Sequence, residues 1–74
     1  MKTLDLLENG QSAVVKAVHG ENTSLRRRLL DMGITKGTEV SLVRTAPLGD
    51  PIELNLRGYS LTIRKSDAHL VEVL

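Results

Sequence analysis

Ile52-Glu53-Leu54-Asn55-Leu56-Arg57-Gly58-Tyr59-Ser60-Leu61-Thr62-Ile63-Arg64 is the stretch on which the fold turns. Ile52, Leu54 and Leu56 fall on one face of an extended chain, and Glu53, Asn55 and Arg57 on the other. That alternation predicts a strand over 52–57 with one dry and one wet face. Leu61 and Ile63 repeat the pattern over 60–64. Gly58-Tyr59 between them is expected to close a tight antiparallel hairpin.

The same grammar extends in both directions. Turn signals recur at Asn9-Gly10, Gly20, Gly33, Gly37, residues 47–51 and Gly58, with short alternating segments between them. Val40 and Leu42 mark a strand over 38–44, and Val71 and Val73 a closing strand over 70–74. Over 12–19, Val14, Lys16 and Val18 face one way and Ala13, Val15 and Ala17 the other, as suits a strand curling through a barrel wall. Residues 23–32 break the pattern. Leu25, Leu29 and Met32 recur at helical spacing with Leu30 widening the stripe, and Asn22, Thr23 or Ser24 can cap the start. Gly33 sits where a left-handed residue ends a helix. The opening at residues 3–8 is read as a single helical turn in preference to an edge strand, and Ser66 as the cap of another turn through His69. The fold class is mainly β: a small antiparallel barrel of about five strands, one short helix and single-turn pieces, with the helix plugging an open end.

Composition narrows the function. The chain has 74 residues, one domain's worth, and 41% of them are hydrophobic. With no Phe, no Trp and only Tyr59 as an aromatic, Leu, Val and Ile must build the core. The absence of Cys excludes disulfides, thiolate metal sites and a cysteine nucleophile, and fits a reducing compartment. No run approaches the ~18 apolar residues of a membrane span. Lys2 followed by Asp5 and Glu8 is not the start of a signal peptide, so a cytoplasmic location is expected. A net charge of +1 is low for a nucleic-acid binder. Proline-rich peptides and single-stranded bases are held by several aromatics, which one Tyr does not supply.

Five pieces in order have a family look: Arg28-Leu29-Leu30-Asp31-Met32-Gly33-Ile34, Gly37-Thr38-Glu39-Val40, Ala46-Pro47-Leu48-Gly49-Asp50-Pro51, Arg57-Gly58-Tyr59 and Leu61-Thr62-Ile63-Arg64-Lys65. The series resembles the ferrous iron transport protein A (FeoA) family from about Leu4 to Val73. Lys36 departs from the pattern, where the family usually has Pro before Gly. The resemblance implies a single SH3-like domain over 1–74. It implies a cytosolic accessory protein that acts with the cytoplasmic face of the membrane ferrous-iron transporter FeoB, which carries a GTP-binding domain. It also implies kinship with the C-terminal domain of iron-dependent repressors.

The expected contact residues are Pro47, Leu48, Gly49, Asp50 and Pro51 with Arg26, Arg27 and Arg28. Two prolines stiffen the loop, which lowers the entropic cost of docking, and an apolar Leu48 at its tip suits a partner. The bland alternative is a rigid turn that fixes strand register. The arginines are either a solvated helix face, with Arg27 and Asp31 paired at i, i+4, or an electrostatic contact with an acidic surface or phosphate. Replacing Leu48 and Asp50 together is expected to weaken docking without unfolding the barrel. His19 and His69 lie in different elements with no ligand spacing, so no metal site, cofactor or catalytic group is expected. Gly33-Ile34-Thr35-Lys36-Gly37-Thr38 lacks the order of a phosphate loop. An iron chaperone and a repressor-related regulatory domain are the rival functions. Open strand edges allow weak self-association.

Overall fold

A computed structural model describes residues 1–74. Strands β1 (Ser12–Val18), β2 (Glu39–Thr45), β3 (Ile52–Leu56), β4 (Tyr59–Ile63) and β5 (Val71–Val73) form a sheet in the order β4-β3-β2-β1-β5, antiparallel at every pairing. Helix α1 (Ser24–Asp31) links β1 to β2, and the one-turn α2 (Lys65–Ala68) links β4 to β5. Leu4–Leu6 form a 3₁₀ turn, as the sequence reading preferred, and Thr3 just before it bridges Glu72.

Strand β1 curls the sheet into an open barrel by changing partners. Ser12, Ala13 and Val14 pair with β2; Val15, Ala17 and Val18 pair with β5. A bulge between Val15 and Ala17 makes the second half possible. The extra residue breaks the two-residue period, so Val15 and Val18 both turn inward, at 1% and 7% exposure. Strict alternation had put these two on opposite faces; a bulge inserts one residue and adds local twist. A second bulge, between Leu42 and Arg44, sets Arg44 opposite Glu53 and keeps it facing solvent where strict alternation would turn it inward.

The opening hairpin forms, with its turn one residue earlier than expected. Leu56 pairs with Tyr59, so Arg57-Gly58 is the two-residue loop. Both have positive φ, 51° and 83°, the backbone of a type I′ turn, whose twist matches that of the strands. Tyr59 is therefore the first residue of β4.

Helix α1 begins with Thr23, whose hydroxyl accepts from the Arg26 N–H. It ends in a Schellman motif. The Ile34 N–H donates to the Leu29 carbonyl and the Gly33 N–H to that of Leu30, with Gly33 at φ 94°. Leu29 and Ile34 are both fully buried, the apolar contact that accompanies this motif. The core is one cluster of 15 aliphatic residues, with Leu54, Leu56, Leu4, Val40 and Val71 among the most buried. Each such side chain contributes about 1.5–3 kcal/mol of transfer free energy, which is how a core without a large aromatic suffices.

Candidate functional site: a rigid loop with an exposed leucine

The connection from β2 to β3 turns back on itself through two backbone hydrogen bonds. Gly49 N–H donates to the Ala46 carbonyl at 2.7 Å, and Ala46 N–H to that of Pro51 at 3.0 Å. The Asp50–Pro51 peptide is cis, and Gly49 has φ 92°, a conformation other residues rarely adopt. This scaffold holds Leu48 98% exposed, the most exposed large apolar side chain in the chain. An isolated turn has no need of a leucine there.

Asp50 does something different. Its Oδ1 accepts the Lys65 backbone N–H at 2.9 Å. Arg64, at the N-cap of α2, offers no side-chain cap, so Asp50 supplies the missing acceptor from just beyond the Ile52–Ile63 pair of the neighbouring strand. The expected Ser66 cap is not formed because the helix starts earlier, at Lys65. Asp50 is thus built into the fold, and the paired replacement of Leu48 and Asp50 would disturb structure as well as surface. Leu48 alone is the clean probe. The helix that the loop touches is α2.

The three arginines do not form one face. Arg26 Nε donates to the Val18 carbonyl at 2.9 Å, tying α1 to the end of β1. Arg28 Nη2 lies 3.6 Å from Asp67 on α2. Arg27 is exposed, and no Arg27–Asp31 pair forms. Consecutive helix residues point about 100° apart, so a run of three spreads over most of the circumference.

Each histidine meets one carboxylate. His19 Nε2 is 2.9 Å from Glu72 Oε1, and His69 Nδ1 is 3.2 Å from Asp5 Oδ2. The His19 hydrogen bond, aided by the Lys16 ammonium 3.4 Å away, holds the Glu72 carboxyl below the usual range. No group of three or more His, Asp or Glu converges. A first-row metal takes three or four protein ligands, and the Lys16 charge opposes a second cation beside Glu72. The two couples do not fit a metal centre. Tyr59 caps the far end of α1: its hydroxyl donates to the Met32 carbonyl, one of the groups a helix leaves unpaired at its C-terminus. Sequence reasoning gave Tyr59 a hairpin position; the hydroxyl's partner lies 27 residues away and left no local signal.

A five-stranded antiparallel barrel with one short helix between its first two strands is an SH3-like fold, and no helix is long and apolar enough to cross a membrane. The FeoA domain model matches residues 2–74. The chain belongs to the FeoA family, a family of ferrous iron transport. It is 36% identical over 70 residues to an Fe(2+) transport protein A/Fe(2+) transporter FeoB fusion protein of Porphyromonas gingivalis. That match covers 95% of this chain and 8% of the relative's length. An FeoA-like protein from Clostridium acetobutylicum has 47% identity and a TM-score of 0.85, over 97% of this chain and 85% of that one. The FeoA of Stenotrophomonas maltophilia, solved with zinc and described as a prokaryotic SH3 domain protein, has 34% identity and a TM-score of 0.87, over 99% and 89%. A manganese-dependent transcriptional repressor shares the fold at a TM-score of 0.88 with 14% identity, over 99% of this chain and 35% of that one.

Proposed function

We propose that this chain is a non-catalytic accessory module of ferrous iron uptake, docking on the cytoplasmic face of an FeoB-type transporter and modulating its assembly, gating or GTP hydrolysis. The observation that carries this reading is the Porphyromonas gingivalis relative, named as transport protein A and transporter FeoB in one fused chain. Fusion holds two parts at high effective concentration, which is useful where they work in contact. The exposed Leu48 on its rigid loop supports a docking surface of residues 47–51, with Arg27 as the arginine most free to add long-range attraction. The repressor likeness extends to the fold alone, and a DNA-binding role finds no second helix of α1's length.

The test is co-purification with the cognate full-length transporter in detergent, using the wild-type chain and Leu48→Asp. The expected outcome is capture of the wild type and loss of capture for the variant, with its fold unchanged. Equal capture of both would move the contact elsewhere on the barrel. No capture of either would remove the docking reading.

A further inference from the structure

The sheet has two ends, and only one is protected. At the β5 end, Val73 N–H donates to the Lys2 carbonyl at 2.9 Å and Thr3 bridges Glu72, so the N-terminal segment covers that edge. At the β4 end, the only strand pairing is to β3. The Arg57-Gly58 loop fixes which β4 groups are free. A two-residue loop is closed by a hydrogen-bonded pair, here Leu56 with Tyr59, and hydrogen-bonded pairs alternate along an antiparallel ladder. Leu61 and Ile63 therefore bond to β3, while the N–H and C=O groups of Ser60 and Thr62 point away from the sheet. Both residues are exposed. The strand Tyr59-Ser60-Leu61-Thr62-Ile63 carries none of the usual edge guards, having no Pro, no charge and no bulge.

The charges stand at its ends. Arg57 precedes β4, and Arg64 and Lys65 follow it. None of the three takes part in an ion pair. The Arg57 guanidinium rests on the β2 side of β3, donating to the Thr38 hydroxyl in a hollow that Lys36 and Glu39 also line, and must swing round to reach the β4 edge; Asp50, which shares a shallow hollow with Arg64, is occupied by the Lys65 N–H. A second copy added antiparallel through Ser60 and Thr62 would be centred on Leu61. It would bring Arg57, in the turn before β4 of one chain, toward Arg64 and Lys65 just beyond β4 of the other, gathering like charges at both ends of the added ladder.

We propose that the β4 edge accepts an extended segment of a partner protein as an added strand, and that Arg57 with Arg64 select a segment with acidic residues at its two ends while repelling a second copy of this chain. Backbone bonds to Ser60 and Thr62 supply affinity without regard to sequence; the terminal cations supply the choice. Thr62 also lines a hollow with Pro47 and Pro51, so the edge borders the projecting loop. The proposal stands whether or not the partner is the transporter, and its test uses no transporter.

The probe is a capped peptide of about eight residues alternating Thr and Val, long enough to run from Arg57 to Arg64, with Glu at both ends. A second peptide carries Lys at both ends. Each is titrated into the labelled full chain and followed by NMR, with amide hydrogen exchange at Ser60 and Thr62. The Glu-ended peptide is expected to shift and protect these amides and to bind roughly tenfold tighter than the Lys-ended one, as two ion pairs allow. Arg57→Asp with Arg64→Asp suits the local backbone, since Asp tolerates both the left-handed turn position and an N-cap. This variant should reverse the preference. Thr62→Pro removes an outward N–H without touching the ladder to β3 and should abolish the protection that either peptide gives the Ser60 amide. Equal binding of the two peptides, shifts elsewhere on the barrel, or self-association through β4 at low salt would overturn the proposal.

Discussion

Asp50 and Leu48 are two residues apart in one loop and answer to different forces. Leu48 touches nothing, so Leu48→Asp is expected to leave stability within about 0.5 kcal/mol while changing what the loop binds. Asp50 accepts the Lys65 N–H, so Asp50→Ala should cost about 1 kcal/mol, the usual worth of a helix cap, seen as a lower urea midpoint. Asp50→Asn keeps an acceptor and should recover most of it; an equally damaging Asn would show that the cap is not the cause. Gly33 is constrained twice. Its φ is 94°, and a Cβ would stand 2.9 Å from the Tyr59 hydroxyl oxygen. Gly33→Ala is expected to cost about 1–3 kcal/mol in chemical denaturation, the range for a forced left-handed residue. A neutral result would mean that the α1 terminus and the hairpin are not rigidly coupled.

At the scale of elements, the sequence was most legible where period and punctuation agreed. Ile52, Leu54 and Leu56 carry an unbroken alternation, and all three are buried in β3. Thr23 and Gly33 bracket α1 as cap and stop. Legibility failed in β1, where the bulge at Lys16 turns Val15 and Val18 to the same side, because nothing in the local composition announces it. It failed again for α2, whose acceptor comes from Asp50, 15 residues earlier. The candidate loop was visible as a Pro and Gly pattern, whereas the dispersal of Arg26, Arg27 and Arg28 required the helix's orientation. The β1–β5 pairing has its own chemical signature. Because Glu72 is held below the usual carboxylate range by His19, then by Lys16, its folded pKa is the lower one. Its contribution to stability is therefore full above the ordinary carboxylate range and is lost as pH falls through the depressed value. The stability difference between the wild type and Glu72→Gln should shrink between about pH 7 and pH 3. A difference constant across that window would contradict the assignment.

For the whole molecule, the physical picture is a dry aliphatic barrel whose polar groups are spent on holding it together. Buried side-chain polar atoms all have hydrogen-bond partners. What remains unspent is on the surface: Leu48, the exposed Arg27, and the outer groups of β4. In the docking role proposed above, these are the groups such a scaffold would present to a partner. The most direct measurement is an NMR titration of the labelled chain with the cytoplasmic domain of its cognate FeoB, with and without a GTP analogue. The account predicts localised shifts in residues 46–51, abolished by Leu48→Asp, with a size that depends on the nucleotide. Absence of shifts, or shifts that persist unchanged in Leu48→Asp, would contradict it.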